Sequence, residues 1–316
     1  MKILITGAIG FIGYHLCKLL LDEDYNVLGI DNLNDFYEVK LKYDRLKRLK
    51  LHKNFNFVDV DISDKKSLAD LFIKFKPEKV VNLAAQAGVR VSPEKHIKYL
   101  DSNLVGFLNI IEVSRQNNVK GFIYASSSSV YGLNNKIPFS INDATDRPIS
   151  FYAASKKSNE IIAHSYSHLY GLNTTGLRYF TVYGPWGRPD MAYYIFTKNI
   201  SEGRPINVFN NGNMKRDFTY IDDIVLGTKS AIEKNYPYEL FNLGNQKSNS
   251  IMDIIKIIET ELSIKAQINL LPMQAGDVIE TCASISKSIK MLNYNPKISI
   301  NEGMPKFINW YKNYVP

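Results

Sequence analysis

Over its first 180 residues the chain alternates short runs of branched apolar residues with longer stretches whose apolar positions recur at helical spacing. The runs 2–6, 26–31, 55–59, 79–83, 121–126 and 173–179 predict strands, and helices are predicted near 12–21, 40–50, 65–75, 95–117 and 151–170. The strand runs are almost continuously apolar rather than alternating, which marks a parallel sheet covered by helices on both faces. Asp64 suits the N-cap of the third helix and Pro93 the start of the fourth.

Beyond residue 180 the texture changes. Gly184–Pro185, Gly203–Arg204–Pro205 and Asn210–Asn211–Gly212–Asn213 break the chain into turns and short elements, with later helices near 250–262 and 301–312. No linker separates the halves. The expectation is an α/β protein in which residues 1–180, rejoined by some later segments, form a nucleotide-binding domain. Residues 181–316 then form mainly a smaller, mixed α/β substrate lobe, with the site in the cleft between them.

Composition narrows the class. The 45% hydrophobic and 22% charged content is that of an ordinary globular protein. No stretch reaches the roughly 20 apolar residues of a membrane span, so no membrane partner is expected. The apolar run Ile3 to Leu21 is interrupted by glycines, Thr6, His15 and Lys18 and lacks a cleavage site, so a cytoplasmic location is expected. Cys17 and Cys282 form neither a disulfide framework nor a metal-ligand pattern, and no metal is expected. The net charge of +8 and the basic run Lys40 to Lys53 invite a nucleic-acid reading. Leu41, Leu46, Leu49 and Leu51 recur within that run at near-helical spacing, however, so a solvated helix with one apolar stripe accounts for it. An anionic small molecule fits the charge better than nucleic acid does.

Chemistry begins at the first strand end. Gly7, Gly10 and Gly13 join an apolar strand to a helix whose inner face is Phe11, Ile12, Leu16, Leu19 and Leu20. Glycines there permit a tight turn, close approach of a pyrophosphate and close helix packing, while the helix N-terminus offers free N–H groups. The second strand ends in Asp31, 18 residues after Gly13, where a carboxylate can take both adenosine ribose hydroxyls and repel a 2′-phosphate. Asp61–Ile62, after the third strand, suits the adenine edge. Together these predict bound NAD rather than NADP.

Tyr152 and Lys156 lie four residues apart and share one helix face. A lysine ammonium and a positive nicotinamide ring both favour phenolate; lowering a Tyr to about 7 takes roughly 4 kcal/mol at about 1.36 per unit. Such a phenolate can take a proton from a sugar hydroxyl as hydride leaves the same carbon. The fifth strand ends in Ser126–Ser127–Ser128–Ser129–Val130–Tyr131–Gly132, a hydroxyl cluster expected to face the nicotinamide.

The segments Gly7–Gly13, Asn82–Gln86, the serine run and Tyr152-x-x-x-Lys156 resemble those of the extended short-chain dehydrogenase/reductases, whose fold is a Rossmann-type doubly wound parallel sheet. Arg178–Met191, Arg216–Asp223 and Gly276–Asp277 resemble the branch acting on nucleotide sugars. Asp31–Tyr37, Ser126–Gly132 and Thr181–Met191 are similar to UDP-glucuronate 4-epimerases, and the match runs from residue 1 to about 312.

The resemblance implies C4 epimerisation of a UDP-sugar with tightly held, recycled NAD. Tyr152 removes the C4 hydroxyl proton, positioned by Ser127 with Ser128 as a neighbouring candidate, and Lys156 holds the nicotinamide ribose. The C4 hydride leaves and returns to the other face of a 4-keto sugar. Further NAD contacts implied are Phe11, Ile12, Asn32, Leu83, Ala84, Ala85, Gln86, Tyr179 and Val182. On the substrate side, Thr181 and Arg188 lie near the sugar and its carboxylate, Arg216 and Asp277 near UDP, with Met191, Val208 and Arg90 as further candidates. Arg188 is the residue type for a bidentate carboxylate clamp.

Other chemistries remain open at this point. A 4-keto sugar acid readily loses carbon dioxide, but the decarboxylases and dehydratases of the superfamily carry acidic residues where this chain has Ser128 and Ser129, which favours epimerisation. The sugar can be glucuronate, a neutral hexose or an N-acetylated relative, and an NAD-binding sensor or scaffold is the non-enzymatic alternative. Helices near 95–117 and 151–170 carry more apolar positions than one sheet contact needs, among them Leu100, Leu104, Phe107, Leu108 and Ile111. Relatives pair through these helices, which implies a homodimer.

Overall fold

The computed structural model describes residues 1–88, 96–274 and 276–315. Arg90 and Pro93 lie outside the described residues. Six strands of the first half are β1 (Lys2–Thr6), β2 (Asn26–Asp31), β3 (Phe55–Asp59), β4 (Lys79–Asn82), β5 (Gly121–Ser127) and β6 (Thr174–Tyr179). The helices among them are α1 (Phe11–Asp22), α2 (Val39–Leu49), α3 (Lys65–Phe75), α4 (His96–Tyr99), α5 (Gly106–Gln116) and α6 (Phe151–Tyr170). The second half adds β7 (Thr181–Tyr183), α7 (Ala192–Ser201), β8 (Ile206–Val208), β9 (Lys215–Tyr220), α8 (Ile221–Lys234), β10 (Tyr238–Leu243) and β11 (Ser248–Ser250). It closes with α9 (Ile251–Leu262), β12 (Ile268–Leu270), α10 (Ser286–Leu292) and α11 (Ile300–Tyr314).

The central sheet has seven parallel strands in the order β10-β6-β5-β4-β1-β2-β3. This is the doubly wound, Rossmann-type α/β arrangement. Its unbroken apolar strands now have a cause: successive residues go to opposite faces, and both faces are covered. Ile3 and Ile5 join one buried cluster while Leu4 between them joins the other. The strand order reverses direction between β1 and β4, the place where a crevice opens outside the strand ends. A three-stranded sheet (β11-β9-β7) and a two-stranded one (β12-β8) belong to the second half.

Local signals act where the sequence placed them. The Asp64 carboxylate accepts from Ser67 N and caps α3; Ser150 accepts from Ala153 N and caps α6, which ends at Gly171 with φ +66°. The stretch near 95–117 differs from one continuous helix. Residues Leu100–Val105 form a π-helical turn between α4 and α5. The extra residue per turn brings Asn103 inward, where its amide accepts from Gln86 N (2.8 Å) and donates to Gln86 O and Ser155 Oγ (both 3.0 Å). Such turns are frequent at functional sites.

Two further differences bear on the site. The basic run is not simply a solvated face: Lys42 and Arg45 of α2 are buried, and Leu51 lies beyond the helix, exposed. The apolar excess near 95–117 also divides. Phe107 and Ile111 point into the core, whereas Leu100 and Leu108 stay exposed.

Candidate functional site

A cavity of about 930 Å³ opens along the strand ends at the β1/β4 reversal, at the large end of the range for ligand pockets. Gly7, Gly10, Phe11, Ile12 and Gly13 form its floor beside Asp31, Asn32, Asp61, Ile62, Leu83, Ala84, Ala85 and Gln86. Tyr152, Lys156, Ser127, Ser128, Tyr179 and Val182 line its middle, and Thr181, Arg188, Met191, Val208, Arg216 and Asp277 its far end. Every site residue singled out in the sequence and described in the structure therefore borders one space.

The floor is built from backbone. Gly10 N donates to Gly7 O at 2.9 Å, and a Cβ on Gly13 would lie 2.0 Å from that same oxygen. No side chain caps the N-terminus of α1, and no acidic residue stands in its first turn. Its amides are thus the donors on offer, a fit for a pyrophosphate. Across the reversal, Thr6 Oγ1 donates to Asn82 Oδ1 (2.6 Å) and accepts from Ala84 N (2.9 Å), joining the ends of β1 and β4.

Asp31 ends β2 almost fully buried. Burial raises its carboxyl above the ordinary range, opposed by the Lys42 charge at 3.5 Å and the Leu33 amide at 3.0 Å. Asn32 donates to Asp61 Oδ2 at 2.6 Å. Burial alone would raise Asp61, but hydrogen bonds from the Ser63 amide and Asn32 outweigh it and lower its carboxyl. This donor and acceptor set fits the ribose and adenine of NAD.

At the middle of the cavity, α6 presents Tyr152 and Lys156 across from the end of β5. Lys156 is 2% exposed, and burial brings its ammonium down to about 8. Its Nζ donates to Ala125 O at 2.9 Å and lies 5.9 Å from the Tyr152 ring centroid. Burial raises the Tyr152 hydroxyl above 10, against the lowering effects of the Arg188 charge and of a hydrogen bond from Ser127. The sequence reading expected Lys156 itself to favour phenolate. In the structure the Arg188 charge and Ser127 also favour it, and the Lys156 ammonium is held by the β5 backbone. Ser127 Oγ also lies 3.1 Å from Ser129 Oγ, which can donate to it.

Behind the serines lies a buried ionic support. Ser126 Oγ donates to Glu160 Oε1 at 2.7 Å, and the Arg178 guanidinium grips both Glu160 oxygens at 2.7 and 2.8 Å. Ser126 thus belongs to the frame rather than to the open face of the cluster. At the far wall, Arg188 forks onto Asp190 at 3.0 and 2.6 Å. Its guanidinium carbon lies 5.8 Å from the Phe36 ring.

Sequence reasoning passed over Lys42, Asn103, Phe36 and Tyr99. Lys42 was hidden in a charge run, and Asn103 was a lone polar residue on an apolar helix face. The Tyr99 hydroxyl donates to Gly88 O at 2.5 Å, with its ring 6.3 Å from that of Tyr152.

This geometry has counterparts in known proteins. The model of the NAD dependent epimerase/dehydratase family matches residues 3–244. The chain belongs to that family. It is 46% identical to UDP-glucuronate 4-epimerase 4 of Arabidopsis thaliana, over 99% of this chain and 76% of that one. Among solved structures, the UDP-glucuronic acid 4-epimerase of Bacillus cereus in complex with UDP-glucuronic acid and NAD matches with a TM-score of 0.94. The two are 36% identical, and the match covers 99% of each chain. A UDP-glucose 4-epimerase of Thermotoga maritima, with UDP-glucose, matches with a TM-score of 0.92 at 30% identity over 100% of each chain. Within the family the open question at this cavity is therefore the sugar.

Proposed function

We propose that the chain inverts C4 of UDP-glucuronate, giving UDP-galacturonate through a transient 4-keto sugar with retained NAD. The observation carrying this reading is that Tyr152 and Arg188 border the same cavity. A sugar with a carboxylate two carbons from its reacting hydroxyl fits between such a base and such a clamp.

In this reading the backbone amides of Gly10 to Gly13 and the Asp31 carboxylate hold NAD, with Asn32, Asp61 and Ile62 around the adenine. NAD supplies a hydride acceptor and donor at the sugar carbon. Tyr152 takes the C4 hydroxyl proton and returns it, while Ser127 donates to whichever oxygen carries the charge. Lys156, held by Ala125 O, contributes a positive charge to a nearly dry site. Arg188 takes the carboxylate, with Thr181 beside it, and Arg216 and Asp277 serve the UDP end with Met191 and Val208 as apolar walls. Ser128 and Ser129 offer no carboxyl group at the strand end, so a general acid or base for chemistry at C5 or C6 is lacking there. That favours epimerisation over decarboxylation.

The purified protein incubated with UDP-glucuronate, without added NAD, tests this by proton NMR. The expected result is a UDP-galacturonate anomeric signal. UDP-xylose would overturn it, and activity on UDP-glucose alone would move the assignment to a neutral sugar.

We further propose that residues 1–180, with β10, form the NAD-binding unit and that residues 181–316 mainly bind the nucleotide sugar. The seven-stranded sheet and the lining of the far wall support this division. A cytoplasmic location is also proposed, in keeping with two free cysteines; no helix among the described residues is long and apolar enough to cross a membrane. We propose pairing through α4–α5 and α6 as well. Ile97, Leu100, Val105 and Leu108 on the first and Phe151, Ile161, Leu169 and Tyr170 on the second are 39–66% exposed. Leu108→Glu should turn a dimer into a monomer by light scattering; a monomeric wild type would refute the pairing.

A further inference from the structure

Arg45 is fully buried, with 0% of its surface exposed, and among the described residues no carboxylate pairs with it. Its partners are neutral groups from three separate segments. Nη1 donates to Ile9 O (2.9 Å) in the glycine-rich loop and to the Tyr37 hydroxyl (2.6 Å) in the segment after β2. Nη2 donates to Trp186 O (2.6 Å), in the loop after β7 that bears Arg188. Burying a guanidinium without a counter-ion is costly, and planar donors in a rigid fork are what such a site demands.

The third segment needs holding. Trp186 is a bulky residue at φ +61°, a conformation that persists only when its surroundings impose it. Its ring packs on Arg48 (4.7 Å), Tyr14, Trp310 and Tyr314, and the preceding Pro185 carbonyl meets His15 Nε2 at 2.9 Å. Two residues further on stands Arg188, whose guanidinium reaches the cavity. The Phe36 ring beneath Arg188 belongs to the same segment as Tyr37. One guanidinium thus ties the floor that receives a pyrophosphate to both elements that set the place of Arg188.

We infer that Arg45 is a positioning residue for recognition of the sugar carboxylate: it acts through Arg188 by locking the Trp186–Arg188 loop to the glycine-rich loop. The inference rests on the proposed reading that the substrate carries a carboxylate. It assigns Arg45 no contact with sugar or cofactor. A purely structural role would weaken all ligands alike, whereas this role weakens only those that Arg188 grips.

The test compares apparent dissociation constants of UDP-glucuronate and UDP-glucose by calorimetry, for wild type, Arg45→Met and Arg45→Lys at equal NAD content, with folding checked by thermal melting. In the wild type UDP-glucuronate binds more tightly. In both variants that preference falls about tenfold, since neither side chain reproduces the fork. In the pair with Arg188→Met, Arg45→Met causes no further loss of preference, as expected of residues acting as one unit. Equal weakening of both ligands, or an unchanged preference, overturns the inference. Should Arg45→Met fail to fold, Arg45→Lys decides it. A wild type with no preference refutes the carboxylate reading itself and this inference with it, and is distinguished by appearing before any mutation is made.

Discussion

Two loops flank the cavity, and they are held in opposite ways. The Gly7–Gly13 loop is closed by its own backbone, with Gly10 N on Gly7 O and no room for a Cβ on Gly13 beside the same carbonyl. Gly7 takes φ +65°, and a Cβ there would meet Ala84 N at 2.8 Å. The loop Gly184–Asp190 is held instead by side chains distant in sequence: His15 from α1, Arg45 and Arg48 from α2, Trp310 and Tyr314 from α11. The first loop has no room for a Cβ at Gly7 or Gly13. The second depends on charges and rings that can be changed one at a time.

This difference can be broken experimentally. Its largest expected effect is at Gly13. Gly13→Val places branched carbons against Gly7 O and must push α1 from the sheet, costing about 3 kcal/mol or more. The protein should melt several degrees lower and copurify without NAD, read by nucleotide release on denaturation. A Gly13→Val protein that keeps NAD and melts as wild type would show the first loop to be adaptable.

A smaller effect separates the loops by pH. Burial lowers His15 to about 4, against an ordinary value near 6.5, and the nearby Arg45 and Lys18 charges act in the same direction. Between these values the unfolded chain takes up a proton that the folded chain refuses. Stability is therefore retained above pH 6.5 and falls as pH drops to 4. Allowing for partial exposure, the loss is on the order of 2 kcal/mol, and His15→Gln, which keeps a donor for Pro185 O, should flatten that slope. Denaturant titrations at pH 7, 5.5 and 4.5 would read it; parallel slopes in the two proteins would remove His15 from the account.

The same difference explains what could be read from the chain. Gly7, Gly10, Gly13 and Asp31 declare themselves because their positions rest on spacing along a strand, a turn and a helix. Tyr152 and Lys156 do so because four residues on a helix fix a shared face. Each is a local geometry. Lys42 and Arg45 read as part of a solvated run, since nothing near them in sequence tells which of seven cations turns inward. Asn103 was unreadable for a similar reason: its inward turn depends on a π-helical insertion that fastens the Gln86 segment.

Local sequence was enough for the parallel sheet, the glycine-rich loop and the shared helix face of Tyr152 and Lys156, because short-range sterics and helical periodicity dictate them. Long-range packing set how β10 returns to complete the sheet beside β6, which way the Lys156 ammonium points, and what holds the loop that bears Arg188. Those outcomes join residues as far apart as Arg45 and Trp186, 141 positions along the chain, and are settled by which polar groups must find partners once the core has closed.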